Sequence, residues 1–375
     1  MIVIADDITG AAEIAGIAFS QGEETRLLCD GSLCGDIIAA KGTTVVATDT
    51  RSMSEAEAAE EMLRIGRPLR SFGETGGALF KKTDSALRGH VVAELAALMQ
   101  ATGYRRAVYL PANPSKGRII RNGIYYIIEN GTEKPLSETA FSYDPEFPAS
   151  TSSLRERFPD AEERGMIMPD AESAADIYAV VNNYHDGHTL FAGAADLFTA
   201  WLRKGCALRP HPVPPQGEGV AWAEDCCSLL LVCGSTQSHP EAFGLPVSAM
   251  PLAIYEGSDD LTPWLDDALP KYAAGPLVLS IPHRHLTGKA VAVRLRRLMA
   301  SLVAQLFQHH TPTHLYIEGG ATAFAVLRAL HISSLEVVAQ PAPGVVSMRA
   351  DDQFIVTLKP GSYAFRPLHG LASSP

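Results

Sequence analysis

The sequence predicts a two-domain α/β protein, each domain built on a largely parallel sheet flanked by helices. Three observations carry this. The chain has 375 residues, and domains commonly run ~100–200 residues. Its first half repeats a pattern of apolar strand, polar loop and helix, the signature of a parallel sheet with helices on its faces. A proline-rich stretch, Arg209 to Gly219, then interrupts regular structure before a second series of the same kind begins at Ser228. The expected division is residues 1–208, a linker at 209–227, and residues 228–375.

The elements follow in order. Ile2 to Ala5 reads as a buried strand, followed by the turn Asp6-Asp7-Ile8-Thr9-Gly10 and a small-residue helix from Ala11 to Gln21. Thr43 to Ala47 is a second strand, broken at Asp49-Thr50-Arg51-Ser52. Ser54 to Arg64 is helical, with Ser54 and Glu57 spaced as a capping box. Ala78 to Phe80 is a third strand, Ser85 to Ala101 contains a helix, and Ala107 to Leu110 is a fourth strand closed by Pro111. Beyond these come a helix from Ala174, a strand at Thr189–Ala192 and a helix towards Lys204. The second domain is expected to hold strands at 228–233, 277–280, 314–317 and 354–358, with helices at 289–308 and 321–330.

Composition narrows the function. Apolar residues make up 46% and charged residues 19%, ordinary for a folded domain. The formal charge of −11 and the lack of a Lys/Arg block argue against a nucleic-acid partner. No stretch is long and apolar enough to predict a membrane span, and two aspartates directly after Ala5 do not suit a signal peptide. The six cysteines show no paired metal spacing. The expectation is a cytoplasmic protein with reduced thiols.

In a parallel sheet, ligands bind beyond the carboxyl ends of the strands. Four strand ends here carry polar clusters, bringing Asp6, Asp7, Arg51, Lys82, Asp84, Arg88 and Arg118 towards one edge. Carboxylates take hydrogen bonds from hydroxyls or act as a base, and arginines clamp a carboxylate or phosphate. The mixture suits a polyol acid. Asp7 and Ser85 also read as plain helix caps. In the second half, glycines follow apolar strands at Gly234-Ser235, Gly319-Gly320 and Gly361. A Gly-Gly pair opening a helix lets backbone approach a phosphate, or merely closes a tight turn. Neither a P-loop nor a dinucleotide fingerprint is present.

Together these motifs resemble the four-carbon acid sugar kinase family. Ala5–Ala11, ADDITGA, is similar to that family's ADDLTGA. Lys81–His90, KKTDSALRGH, nearly matches KKTDSTLRGN. Pro111–Tyr125, PANPSKGRIIRNGIY, resembles PAFPxxGRxTxxGxxY with Ile120 at the Thr position, and Asp144-Pro145 matches a later D-P pair. The second half resembles the family at Gly234-Ser235, Gly319–Ala323 and Pro343-Gly344-Val345. It departs in three places: Ala321 stands where the family has Asp, Pro240 and Phe243 replace a Thr and a Gln, and Lys359–Ala364 meets the family's closing motif only in part.

The resemblance implies ATP-dependent phosphorylation of a sugar-acid hydroxyl, with the acid held by the first domain, ATP by the second, and the active site in the cleft between them. It assigns Asp7, Asp84 and Lys82 to catalysis. Asp6, Thr9, Arg51, Ser52, Ser85, Arg88, Gly89 and Arg118 would bind the acid. Gly234, Ser235, Gly319, Gly320, Thr322, Gly344, Lys359 and Gly361 would bind the nucleotide. ATP and Mg²⁺ are the implied cofactors, with no protein metal ligand assigned. A homodimer is the assembly considered. Two rival readings stand beside it: a degenerate kinase that only binds sugar acids, and a metal-dependent enzyme using Asp6, Asp7 and His90 without ATP.

Overall fold

The computed structural model describes residues 1–33, 35–144, 147–205, 228–234, 238–282, 288–350 and 354–361. The chain forms two compact units, Met1–Pro212 and Val213–Pro375. In the first unit the strands are β1 (Ile2–Ala5), β2 (Thr25–Leu28), β3 (Thr43–Ala47), β4 (Leu79–Lys82), β5 (Arg106–Leu110), β6 (Arg118–Arg121), β7 (Ile124–Glu129), β8 (Thr132–Pro135), β9 (Met166–Ile167) and β10 (Thr189–Gly193). The main sheet runs β2-β3-β1-β4-β10-β5-β9, every pair parallel. β1 is buried along its whole length, as its unbroken apolar run requires of a strand covered on both faces. The helix Ile8–Ser20 packs on it through small residues such as Ala11, Ala12 and Ala15.

The order of the strands locates the site. From β1 the chain moves to β2 and β3 on one side, then crosses to β4 on the other side of β1. That reversal opens a crevice outside the carboxyl ends of β1 and β4. Two local expectations are corrected here. The strand expected to end at Phe80 continues through Lys82, paired in register with Ala5. The next helix starts only at Val91, with His90 at its N-cap, so Ser85 does not cap it. Asp84 instead organises a turn, its Oδ2 accepting from the backbone of Ala86 at 2.8 Å and of Arg88 at 3.3 Å. Leu87 sits there at φ +62°, an uncommon state for a branched residue.

β6, β7 and β8 form a separate antiparallel sheet. Its turns are Asn122-Gly123 and Asn130-Gly131, with all four φ values positive. Asn-Gly is the strongest short-range signal for such a hairpin, and it lay in the sequence unread. The segment matters because Arg118 opens β6.

In the second unit the strands are β11 (Leu229–Cys233), β12 (Val247–Ala249), β13 (Leu277–Ser280), β14 (His314–Glu318), β15 (Ser334–Ala342), β16 (Val345–Ala350) and β17 (Phe354–Lys359). They run β12-β13-β11-β14-β17-β16-β15, parallel as far as β17 and antiparallel from there. The sheet is thus mixed. Ala342 pairs with Val345 across the two-residue turn Pro343-Gly344, too short for a parallel crossover. Helices Thr262–Ala274, Lys289–His309 and Gly320–Ala329 connect these strands. Among the described residues no helix is long and apolar enough to cross a membrane.

Candidate active site

Asp6 and Asp7 leave the end of β1, where adjacent residues point to opposite sides. Asp7 caps the helix Ile8–Ser20, its Oδ1 accepting from the Gly10 backbone at 2.8 Å, while Thr9 donates its hydroxyl to Oδ2. Gly10 has no room for a side chain: a Cβ there would lie 2.7 Å from Asp7 Oδ1 and 3.1 Å from Lys82 Nζ.

Arg51, in the turn after β3, is the hub. Its Nε and Nη2 donate to Asp6 Oδ2 at 3.2 and 2.9 Å, and its Nη1 donates to Asp7 Oδ2 at 3.0 Å. Its Nη2 also lies 3.6 Å from Asp84 Oδ1. Arg88 grips Asp84 with both prongs, at 3.0 and 2.9 Å, and reaches Asp144 at 3.4 Å. Arg118 donates to Ser85 Oγ, and Tyr125 donates its hydroxyl to the Ser85 carbonyl. The guanidiniums of Arg88 and Arg118 each stand 5.7 Å from the centre of the Phe141 ring.

Lys82 is buried, its Nζ donating to the Thr83 carbonyl at 2.9 Å and lying 3.7 Å from Glu13 Oε2. Glu13 also pairs with Lys116. Gly89 is held at φ +97°, a backbone state that favours glycine, beside Asp6. Ser52 donates its hydroxyl to the Asp49 carbonyl at 3.0 Å.

Electrostatics divides the three aspartates. Burial raises the Asp6 pKa above the usual carboxylate range, more than Arg51 lowers it. Burial also opposes ionisation of Asp7 and Asp84. There the cations win: Arg51 and Lys82 hold Asp7 below the usual range, and Arg51 and Arg88 hold Asp84 far below it. The side chains are 3%, 22% and 9% exposed for Asp6, Asp7 and Asp84. Asp7 is therefore the ionised carboxylate most open to a ligand. Arg51 fills the space among the three, and no cluster of three or more His, Cys, Asp or Glu side chains among the described residues could hold a metal ion. His90 faces elsewhere, its Nε2 lying 2.8 Å from the Met53 carbonyl.

In the second unit, β13, β11, β14 and β17 end side by side, so Gly234, Gly319, Gly320 and Gly361 share one edge. Val346 pairs with Leu358, which places Gly344 at the same end. Gly319 has φ +101° and precedes the helix Gly320–Ala329, which no side chain caps. Its first backbone N–H groups are the kind that bind anions. A Cβ on Gly234 would fall 2.0 Å from Thr322 Oγ1, so Thr322 packs directly against that strand end. Lys359 is buried and pairs with Glu318 at 2.7 Å. Ser235 lies outside the described residues.

Two family models match the chain: a sugar-binding N-terminal domain over residues 1–167 and a nucleotide-binding C-terminal domain over residues 271–363. A 3-oxo-tetronate kinase of Brucella melitensis is 26% identical, the match spanning 96% of this chain and 92% of that protein. A D-threonate kinase of Bordetella bronchiseptica is 27% identical over 92% of this chain and 88% of its own length. The chain is similar along its length to four-carbon acid sugar kinases. A solved structure from Salmonella typhimurium LT2 shares the fold of this sugar acid kinase relative, with a TM-score of 0.72 and 19% identity over 97% of this chain and 96% of the other.

Several residues at these two clusters escaped sequence reasoning. In the first unit Glu13 and Phe141 reach the cluster through tertiary contacts, and in the second Glu318 meets Lys359. No spacing marks them, because their partners stand on other strands and loops.

Proposed function

We propose that this protein is an ATP-dependent kinase that phosphorylates a hydroxyl of a four-carbon sugar acid of the threonate, erythronate or 3-oxo-tetronate type. The observation that carries the reading is the carboxylate–guanidinium cluster at the crevice beside β1 and β4, with Asp7 ionised and partly exposed beside Arg51. Asp7 accepts a hydrogen bond from the reacting hydroxyl and orients its oxygen. Its low pKa suits a positioning carboxylate, and phosphoryl transfer asks little more of a base. Asp84 has both oxygens engaged by Arg88 and serves to fix that arginine. Arg118 has one donor on Ser85 and others to offer, so it takes the acid's carboxylate, its plane resting on Phe141. Lys82 keeps Asp7 ionised from beneath.

The second unit fits a nucleotide. The uncapped N-terminus of Gly320–Ala329 and the glycine ends of β11 and β17 would hold its phosphates. ATP would supply the phosphoryl group, and Mg²⁺ would neutralise the charge that develops on it. No aspartate is needed at Ala321 for the backbone donors to act. The buried thiols Cys29 and Cys233, both free, suit a reducing compartment, and we place the protein in the cytoplasm.

The test is ADP release in the presence of Mg-ATP and, in turn, D-threonate, D-erythronate and 3-oxo-tetronate, with the product identified by ³¹P NMR. Acid-dependent ADP release with a new phosphate ester is the expected result. Saturable acid binding with no ADP from any of them would overturn the kinase reading in favour of a sugar-acid-binding protein.

A further inference from the structure

We propose that Thr50, Glu94 and Lys81 form a buried polar strut that positions Arg51, and through it Asp6 and Asp7. The proposal rests on the reading of the site given above. Lys81 Nζ and Glu94 Oε2 meet at 2.7 Å with side chains 1% and 2% exposed. Such a pair is a poor source of stability, since its Coulomb gain is largely spent on desolvation. Its geometry has a clearer use. Glu94 Oε2 also accepts the Thr50 hydroxyl at 3.0 Å, and Thr48 Oγ1, 3.0 Å from Thr50 Oγ1, donates to the Ala5 carbonyl at 2.7 Å. All these groups are buried.

Two members of this strut each stand one residue before a site residue: Thr50 before Arg51 and Lys81 before Lys82. Neighbouring strand residues face opposite sides. Thus Lys81 meets Glu94 on the helix Val91–Thr102, while Lys82 meets Glu13 on the helix Ile8–Ser20. The strut braces the ends of β3 and β4 from behind while their next residues build the site in front.

Arg51 needs this bracing. Its turn, Thr50–Ser52, has no side-chain N-cap. Its own backbone tie, N–H to the Asp6 carbonyl, is long at 3.4 Å. Yet its guanidinium must satisfy Asp6 and Asp7 together, and Asp7 stays ionised because Arg51 and Lys82 outweigh its burial. The Thr50–Glu94 bond is the side-chain anchor one residue away. Thr50, Glu94 and Lys81 are positioning residues, since none is placed to touch a substrate.

The variant Thr50→Val keeps the side chain's shape and removes its hydrogen bond. Two readouts decide. In the ligand-free protein, the Arg51 Nε–H, followed by ¹⁵N NMR, should exchange with water at least several-fold faster. In turnover, kcat/KM for the sugar acid should fall by about 10–100-fold with the nucleotide KM unchanged. The acid limb of its pH profile should move up by about one unit as Arg51 drifts from Asp7. Thr50→Ser should restore both. A folded Thr50→Val with unchanged Arg51 exchange overturns the proposal, whatever its activity. Should Thr50→Val not fold, the double variant Lys81→Met/Glu94→Leu, which replaces the pair with apolar residues, is read by the same exchange measurement. A wild-type protein that phosphorylates no sugar acid would defeat the functional reading, and the exchange result would still decide this one.

Discussion

Asp6 and Asp7 are adjacent in the chain and opposite in character. Both lie against Arg51, but Asp6 is pushed towards its neutral form by burial while Asp7 is held ionised by Arg51 and Lys82. The same residue type, one position apart, thus has two electrostatic roles. Replacing Asp7 with Asn should lower kcat by about 10²–10⁴-fold with the fold retained. Replacing Arg118 with Ala should act chiefly on the KM of the acid, by about 10–100-fold for one lost charge-assisted contact. Steady-state kinetics on both separates the roles, and equal loss of kcat in the two variants would contradict them. Acid stability follows from the same groups. Asp84 and Asp7 have folded pKa values below their unfolded ones. Their stabilisation is complete above pH ~4, the unfolded carboxylate value, and fades as pH falls towards their depressed folded values. Asp6, raised, works in the reverse sense: its contribution is full below pH ~4 and is lost as pH rises through its folded value. Urea midpoints between pH 6 and pH 3 should therefore fall less steeply for Asp84→Asn than for the wild type. Parallel curves would remove Asp84 from the account.

At the level of elements, the end of β11 in the second unit is packed too tightly for a side chain. Gly234 illustrates this, since a Cβ there would overlap Thr322, the third residue of the helix Gly320–Ala329. Gly234→Ala should destabilise the second unit by about 1–3 kcal/mol, the usual cost of overpacking. Thr322→Gly in the same chain should recover part of the loss, because it removes the clashing atoms. Thermal unfolding of the single and double variants measures both, and a neutral Gly234→Ala would mean that the helix can move away. The first unit shows the same economy at Gly10, where Asp7 and Lys82 fill the space a methyl would need. Gly10 and Gly234 are thus steric requirements of their strand ends.

For the molecule as a whole, the chain divides into Met1–Pro212 and Val213–Pro375, and on the proposed reading each ligand has its own unit. Heating should then produce two transitions rather than one, as separate cores commonly do. A sugar acid at about 100 times its Kd should stabilise one transition by about 2.7 kcal/mol, and a non-hydrolysable ATP analogue the other, by mass action. Calorimetry with each ligand alone tests this. A single transition raised equally by both would show that the units unfold together.

The polar clusters at successive strand ends were legible in the chain because a parallel sheet delivers every strand's carboxyl end to one edge. Asp6, Asp7, Arg51, Asp84 and Arg88 could be grouped on that ground alone, and the structure brings them into contact. The capping box at Ser54 and Glu57 was equally readable, being a four-residue interaction. What the chain could not reveal is long-range. β10 inserts between β4 and β5 from some eighty residues downstream, and no local pattern sets strand order. Lys81 and Lys82 look like a polar loop, yet they finish a buried strand because Glu94 and Glu13 wait on opposite faces. The sharing of Arg51 among carboxylates, and hence which aspartate is open and ionised, depends on distances of a few tenths of an ångström and on burial. Those quantities exist only once the helices and strands have packed.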